Sequence, residues 1–250
     1  METIRKPFQG VRNIIVFNWH FYFGAAVLTL FLSCAHFIFE SIPLAYFLIP
    51  AGFICIMVLV SLLVSTYIYD LSGLYSLNWI DRLSIGQPDT VINVNAGFDE
   101  TTPLLISRYS EATFQVLDFY DPEKHTEVSI KRARRSYPPM PGTLKISTAQ
   151  IPLEDESTDV IFAILSAHEI RNDLERIGFF KELHRILKRD GRIIITEHLR
   201  DLPNLLAYTL GFFHFHSKKT WRYTFVKANL QLSEEIKITP FLTTFVVQHA

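Results

Sequence analysis

Two short apolar runs, Asp159-Val-Ile-Phe-Ala-Ile-Leu165 and Arg192-Ile-Ile-Ile-Thr196, decide the fold of the C-terminal part of this chain. Both are rich in β-branched residues and are typical of buried strands. Between them apolar residues recur at helical spacing, which predicts a helix from Asp173 to Lys188 that ends at Gly191. A strand, a helix and a second strand in this order form the repeating unit of a parallel sheet.

The same alternation extends in both directions from this unit. It predicts strands over 91–94, 114–118 and 144–146, with helices over 103–109 and 122–135 between them. After the second run we predict a helix over 218–230. Strands over 235–238 and 241–247 follow, separated by Pro240, as an antiparallel pair at one sheet edge. Residues 90–250 therefore form one predicted α/β domain, and its 161 residues are enough for a single core.

The N-terminal part of the chain has a different composition. Neither the stretch from Asn13 to Phe39 nor the stretch from Ser41 to Tyr69 contains Asp, Glu, Lys or Arg. Each exceeds the roughly 20 apolar residues that a helix needs to cross a bilayer. We predict spans over 17–39 and 43–68, forming a transmembrane hairpin within residues 1–69. A buried hairpin in a soluble core is the competing interpretation, which two adjacent runs of this length disfavour.

The distribution of charge around the spans predicts their orientation. Arg5, Lys6 and Arg12 precede the first span, whereas the connection between the spans carries only Glu40. The positive-inside rule then places the N-terminus and the C-terminal domain in the cytoplasm, so the bilayer is an expected partner. Residues 70–89, rich in Leu, Tyr and Trp, are expected to lie along the interface, dock the domain and cover its cleft.

Overall composition excludes some classes of function. The net charge of −1 gives no indication of nucleic-acid binding. The two cysteines, Cys34 and Cys55, lie in the apolar stretches, where free thiols behave as small hydrophobic groups. Neither a disulfide framework nor a thiolate metal site is expected.

Polar side chains follow several of the predicted strands at their carboxyl ends. In an open parallel sheet, ligands bind beyond these ends, where the strand order reverses. This rule gathers five segments around one crevice: 95–99, Asp118, the residues after Ile146, 166–169 and 197–200. The sequence therefore predicts a binding site at this edge of the sheet.

Three patterns give the domain a resemblance to a known family. They are the strand and turn Val91-Ile-Asn-Val-Asn-Ala-Gly97, the stretch Ile151-Pro-Leu-Glu-Asp-Glu-Ser-Thr-Asp-Val160, and the helix, turn and strand from Phe179 to Ile193. Over residues 91–247 the chain resembles class I S-adenosylmethionine-dependent methyltransferases of the methyltransferase-11 and ubiquinone-methyltransferase-like group. The resemblance implies a Rossmann-like seven-stranded sheet with a reversed last strand, and S-adenosylmethionine as cofactor.

The resemblance also assigns the cofactor-binding positions. Asp118 stands where the family's acidic residue holds the ribose hydroxyls, and the full set is Asn95, Ala96, Gly97, Asp118, Phe119, Ala149, Gln150 and Ser166. The first loop departs from the family pattern, because Asn95 and Asp99 replace glycines and Asn93 replaces an acidic residue. This departure leaves open a non-catalytic membrane scaffold or regulatory protein on the same fold.

The candidate catalytic residues are His168, Glu169 and His198. His168 has the intrinsic pKa of a general base, and Glu169 is expected to orient it or to bind substrate. Glu197 and His198 are expected to form a second His–carboxylate pair facing the same crevice. Structural helix capping is the alternative role for Glu169, since carboxylates are favourable near a helix start.

Further histidines occur in Phe212-Phe-His-Phe-His216. With His168 and His198 they suggest a metal cluster, but no acidic partner is evident nearby in the sequence. We therefore expect an aromatic-lined substrate passage and no metal. The hypothesis from the sequence is a membrane-anchored methyltransferase acting on a lipophilic small molecule; a nicotinamide-dependent reductase is set aside, because G-x-G-x-x-G is absent after the first strand. The sequence fixes neither the acceptor nor the oligomeric state.

Overall fold

The computed structural model describes residues 5–83 and 85–250, so the first four residues of the predicted anchor and Ser84 of the predicted linker lie outside it. Seven strands form one sheet in the order β3-β2-β1-β4-β5-β7-β6. β7 is antiparallel to both neighbours, which confirms the predicted sheet with a reversed last strand. The strands are β1 Thr90–Asn95, β2 Thr113–Asp118, β3 Leu144–Lys145, β4 Thr158–Ile164, β5 Leu187–His198, β6 Leu230–Thr239 and β7 Leu242–His249.

Helices cover both faces of this sheet, as the alternating pattern requires. They are α4 Thr102–Arg108, α5 Val128–Ser136, α6 Asp173–Ile186, α7 Leu202–Tyr208 and α8 Lys218–Lys227. On one face α6 and α8 bury Phe180, Trp221 and Phe225 against the strands. On the other face Leu77 and Trp79 pack against the sheet, so the predicted linker docks the domain through its own apolar side chains.

Two predicted helix boundaries are wrong for local reasons. α6 ends at Ile186, and Gly191 lies inside β5 rather than at a helix terminus. A Cβ on Gly191 would stand 2.9 Å from the Asp159 carbonyl oxygen, so close strand approach, not a left-handed cap, requires this glycine. α5 begins at Val128, because the preceding residues form a turn in which the Asp121 N–H donates to Nδ1 of buried His125 (2.9 Å).

The N-terminal segment forms three helices, α1 Gln9–Phe17, α2 Trp19–Ala35 and α3 Ala45–Thr66. α1 and α2 meet at an angle of 72°, so only α2 corresponds to the predicted first span. Among the described residues one helix is long and apolar enough to cross a membrane, or two if the bent pair counts as one span. α3 exposes large apolar side chains along its length, including Phe53, Ile56 and Leu63.

α1 lies against the α/β domain instead of continuing into the hairpin. The Asp70 carboxylate accepts the N–H groups of Gly10 (2.7 Å) and Val11 (2.9 Å) near the start of α1. Glu100, just after the β1 loop, binds four side chains of the N-terminal region: Arg5 (2.9 Å), Gln9 (2.7 Å), Asn13 (3.4 Å) and Tyr75 (3.1 Å). The anchor region is therefore tied to the loop that opens the predicted crevice.

Candidate active site

The carboxyl ends of β1, β2, β4 and β5 meet at one edge of the sheet, where the sequence predicts the crevice. Asn95 and Asp118 are in register at the ends of β1 and β2. The Ser166 hydroxyl after β4 donates to the Val94 carbonyl (2.9 Å). The carboxyl ends of neighbouring parallel strands lie at the same edge of a sheet. Five of the predicted cofactor-binding residues therefore lie close together here: Asn95, Ala96, Gly97, Asp118 and Ser166.

The remaining predicted cofactor residues lie elsewhere. The Phe119 ring is buried in the main core, 5.1 Å from the Phe179 ring, and does not face the crevice. Ala149 and Gln150 lie in an exposed turn after β3, in which Ser147 and Gln150 form an isolated bridge.

The loop after β1 is a tight turn built by its unusual polar residues. Gly97 has φ +83°, a conformation that favours glycine, and its N–H donates to Oδ1 of Asn95 (2.7 Å). Asp99 accepts the backbone N–H groups of Thr101 (2.7 Å) and Thr102 (3.0 Å) at the start of α4. Asn95 and Asp99, which stand where the family has glycines, thus stabilise the turn and the helix start.

Asp118 carries the carboxylate expected to bind ribose, and it is already engaged. It accepts the Tyr120 N–H (2.9 Å) and an Nη1 hydrogen bond from Arg134 of α5 (2.8 Å). The Arg134 guanidinium occupies the space where a side chain on Gly97 would stand, and its Cζ lies 4.3 Å from the Tyr120 ring centroid. Arg134 therefore covers both the carboxylate and the glycine that the cofactor would contact.

Beside Gly97 a cavity of about 240 Å³ opens, lined among others by Asn95, Tyr137 and Met140. This volume is below the roughly 300–1,000 Å³ of typical ligand pockets. The donor set nevertheless fits S-adenosylmethionine, because a carboxylate and a side-chain-free turn lie side by side where a ribose needs them. Withdrawal of Arg134 would add its volume to the cavity and free Asp118.

Further along the same edge, His168 is fixed by Glu197 from the end of β5. Nδ1 of His168 lies 2.6 Å from one carboxylate oxygen of Glu197, and the His168 backbone N–H donates to the other (3.2 Å). Glu197 is fully buried and His168 is nearly so. With Nδ1–H donated to the carboxylate, Nε2 of His168 keeps its lone pair.

Two more carboxylates and a second histidine complete this region. Nε2 of His168 lies 3.6 Å, and Nε2 of His214 3.7 Å, from Oε1 of Glu169. Nδ1 of His214 lies 3.2 Å from Glu127, which also binds Arg171 (2.9 Å). We call Glu127, His168, Glu169, Glu197 and His214 the His–Glu cluster.

The electrostatics of the cluster follow from this packing. Burial lowers the pKa of His214, but hydrogen bonds to Glu127 and Glu169 outweigh it and raise the pKa to about 9. The same hydrogen bond from His214 lowers the pKa of Glu127 to about 2. For Glu169, burial opposes ionisation, yet the contacts with both histidines keep its pKa below the ordinary value. Glu127 and Glu169 are therefore ionised at neutral pH.

His198 belongs to a different environment. Its Nε2 lies 2.8 Å from the Tyr69 hydroxyl at the base of the anchor, and its ring stacks on Phe215 with centroids 4.7 Å apart. Burial lowers the pKa of His198 to about 3, so the ring stays neutral. Glu197 thus pairs with His168 rather than with His198, and the predicted second pair does not form.

The acidic partners of His214 were not evident from the sequence, because Glu127 and Glu169 lie far from it along the chain. The 209–214 segment returns over the sheet edge and brings them together. His216, two residues further, points away and contacts Arg176, with ring nitrogen Nε2 3.2 Å from Nη1.

Comparison with known proteins agrees with this geometry. A family model described as a methyltransferase domain matches residues 111–195. No curated protein matches the chain.

Solved structures similar to this fold include several S-adenosylmethionine-dependent methyltransferases. One from Aquifex aeolicus has TM-score 0.51 and 16% identity over 71% of this chain and 93% of that one. One from Clostridium acetobutylicum has TM-score 0.51 and 12% identity over 70% and 89%. Human N-acetylserotonin methyltransferase in complex with S-adenosylmethionine has TM-score 0.52 and 11% identity over 78% and 55%.

Identities this low establish the fold, and the domain match adds the class of enzyme. The prediction of a methyltransferase is confirmed at this level. The chain carries a methyltransferase domain over residues 111–195 and has the fold of the S-adenosylmethionine-dependent enzymes.

Proposed function

We propose that this chain is a membrane-anchored methyltransferase that transfers a methyl group from S-adenosylmethionine to a lipophilic acceptor. Bound at the β1 loop and Asp118, the cofactor supplies the methyl group as a sulfonium. The His–Glu cluster, at the ends of the neighbouring strands β4 and β5, holds the acceptor and handles its proton. Orientation in the right geometry accounts for much of the catalysis in such a displacement.

One observation supports the proposal of a lipophilic acceptor. α7 packs on α3, and α7 and the following 209–214 segment expose Leu206, Leu210 and Phe213 to 60%, 75% and 62%. This segment ends at His214, whose ring centroid lies 4.9 Å from that of His168. Exposed apolar side chains therefore occur between the anchor helix and the cluster, which supports an acceptor that arrives from a bilayer.

The anchor itself is supported by the exposure of its apolar side chains. Only 6% of the most apolar 18-residue window of α3 is buried, whereas a core helix of a soluble protein is mostly buried. Arg5, Lys6 and Arg12 favour a cytoplasmic N-terminus, and the docking of α1 on the domain supports the same side for the domain.

The position of Arg134 favours a second candidate, a membrane scaffold that binds no cofactor. In this alternative the Arg134–Asp118 ion pair is permanent and the fold serves only for docking. The two candidates differ in whether the purified protein binds S-adenosylmethionine at all.

The test is release of S-adenosylhomocysteine by the full chain in detergent, supplied with S-adenosylmethionine and either a lipid extract or a water-soluble extract of membranes. Release with the lipid extract alone is expected. Glu197→Gln removes the charge that fixes His168 and should slow release at least tenfold. Glu154→Gln, an isosteric change at an exposed site, is the control. Cofactor binding without release from any extract would contradict the proposal.

A further inference from the structure

The His–Glu cluster has a geometry that proton transfer alone does not require. Both of its histidines direct Nε2 toward the same oxygen, Oε1 of Glu169, at 3.6 and 3.7 Å. One nitrogen or oxygen from each of His168, Glu169 and His214 lies within 4.8 Å of the other two. Two imidazole nitrogens and one carboxylate thus converge on one point.

We infer that His168, Glu169 and His214 form a binding site for a divalent transition-metal cation at the acceptor end of the crevice. Two histidines and one carboxylate on one side of a metal, with the remaining positions open, are a recurring ligand set for first-row divalent ions. Ligand atoms about 2.1 Å from one ion lie about 3–3.5 Å apart. Oε1 of Glu169 therefore has to approach each Nε2 by a few tenths of an ångström, and the two Nε2 atoms, which lie within 4.8 Å of each other, have to draw together as well.

The surroundings of the two histidines are those of metal ligands. A ligating histidine almost always donates its other ring N–H to a carboxylate, a carbonyl or water. Here Nδ1 of His168 lies 2.6 Å from Glu197, and Nδ1 of His214 lies 3.2 Å from Glu127 and also contacts Nη2 of Arg171. Each Nε2 is thereby oriented toward Glu169, and His214 releases its Nε2 proton when the cation binds, as ligation by an imidazole requires.

An unpartnered buried atom points to a missing ligand at the same place. Glu169 is 5% exposed, and within the described ranges its Oε2 has no hydrogen-bond partner. A buried carboxylate oxygen without a partner is costly, because it has lost water and gained nothing in return. A cation that Glu169 ligates through both carboxylate oxygens, beside the two histidines, would satisfy it.

The charges of the region match a divalent ion. The cluster contains the carboxylates of Glu127, Glu169 and Glu197, and Arg171 neutralises one of them at 2.9 Å. Once a bound cation has displaced the proton of His214, the three carboxylates and Arg171 leave a net charge of −2, which a divalent cation balances.

The role of this cation deepens the proposed function and rests on it. A metal with open positions at the acceptor end selects an acceptor with a ligating oxygen, so the substrate class is a lipophilic alcohol or phenol. Cation binding itself is independent of methyl transfer, and it is measured without cofactor or acceptor.

The experiment is calorimetric titration of the EDTA-treated full chain in detergent with Mn²⁺ and with Zn²⁺. One equivalent should bind. Glu169→Gln and His214→Gln, both nearly isosteric, should weaken binding at least tenfold, and Glu197→Gln, which alters the support of His168, about 10–100-fold. His184→Ala is the control, since His184 lies on α6 beside His249, away from the cluster.

Co²⁺ provides a second readout that distinguishes ligation from general stabilisation. Ligation by the two histidines predicts visible d–d absorption on Co²⁺ addition, present in His184→Ala and lost in His214→Gln with an unchanged melting temperature. Absence of stoichiometric binding, or binding equally strong in Glu169→Gln, would overturn the inference. Cation binding without methyl transfer would contradict the proposed function alone, and methyl transfer without cation binding would contradict the metal site alone.

Discussion

Arg134→Ala is expected to strengthen the binding of S-adenosylmethionine. The Arg134 guanidinium binds Asp118 at 2.8 Å and covers Gly97, so the cofactor has to displace it before the ribose reaches the carboxylate. In the variant Asp118 is free to accept ribose hydroxyls, and the space beside the β1 loop is open. The gain in affinity is therefore the free energy of the contact that no longer has to be broken.

The magnitude follows from the environment of the pair. A hydrogen bond to a charged group contributes about 1.5–3 kcal/mol to stability. The Asp118 side chain is 4% exposed, but the Arg134 side chain is 23% exposed. Water therefore screens the ion pair, and the lower end of this range of free energies applies. About 1.4 kcal/mol corresponds to a tenfold lower Kd.

The assay is isothermal titration calorimetry of S-adenosylmethionine in detergent, with the melting temperature of each variant recorded. Arg135→Ala is the matched control, because Arg135 is the exposed neighbour of Arg134 on α5, and its Kd should equal that of the wild type. Weaker binding by Arg134→Ala would show that the guanidinium holds the cofactor rather than competing with it, and would refute the reasoning.

Three other changes test the fold, the anchor and the β1 loop. Burial raises the pKa of Asp159, but the hydrogen bonds that Asp159 accepts, chiefly from Lys188, outweigh burial and bring the pKa below its ordinary value of 3.8. The ionised carboxylate therefore stabilises the fold above pH 3.8, and this stability is lost as the pH falls through the lowered pKa. Asp159→Asn should therefore cost about 1–3 kcal/mol in urea unfolding at pH 7, with the difference shrinking in acid. Ile56→Arg, at a 59% exposed position of α3, should lose about 2.5–3.5 kcal/mol of insertion free energy and release protein on carbonate extraction, whereas Val226→Arg at a 69% exposed site of α8 should not. Gly97→Ala forces a side chain into a left-handed conformation, so calorimetry should show no cofactor binding and thermal melting a loss of about 1 kcal/mol.

Much of the fold follows from local periodicity. Each predicted strand is present, because alternating or continuous apolar runs of three to seven residues leave few alternatives. The helix predicted from Pro122 starts instead at Val128, since the buried His125 ring holds the preceding residues in a turn. That ring is fixed by tertiary packing on Phe119, which no local pattern indicates.

Two features of the site that were not predicted do follow from the spacing of residues in strands and helices. Glu197 and His198 are consecutive in β5, and consecutive strand residues point to opposite faces, so they could not form a pair toward one crevice. Arg134 lies four residues after the buried Ile130 of α5, on the same side of the helix, which directs its side chain inward toward Asp118.

The spacing of residues within strands and helices cannot predict that His214 lies close to Glu127 and Glu169. The three residues come from an extended entry to α5, the turn after β4 and the 209–214 segment. Their approach depends on how the last of these segments folds back over the sheet edge, which the packing of α7 on α3 determines.

The most direct test of the account is transfer of a labelled methyl group. Proteoliposomes containing the full chain and membrane lipid extract are incubated with methyl-labelled S-adenosylmethionine, and label is measured in the organic and aqueous phases. The account predicts label in an organic-soluble product that carries a hydroxyl-derived methyl ether, with loss of transfer in Asp118→Ala. Label confined to water-soluble products, or equal transfer by Asp118→Ala, would contradict it.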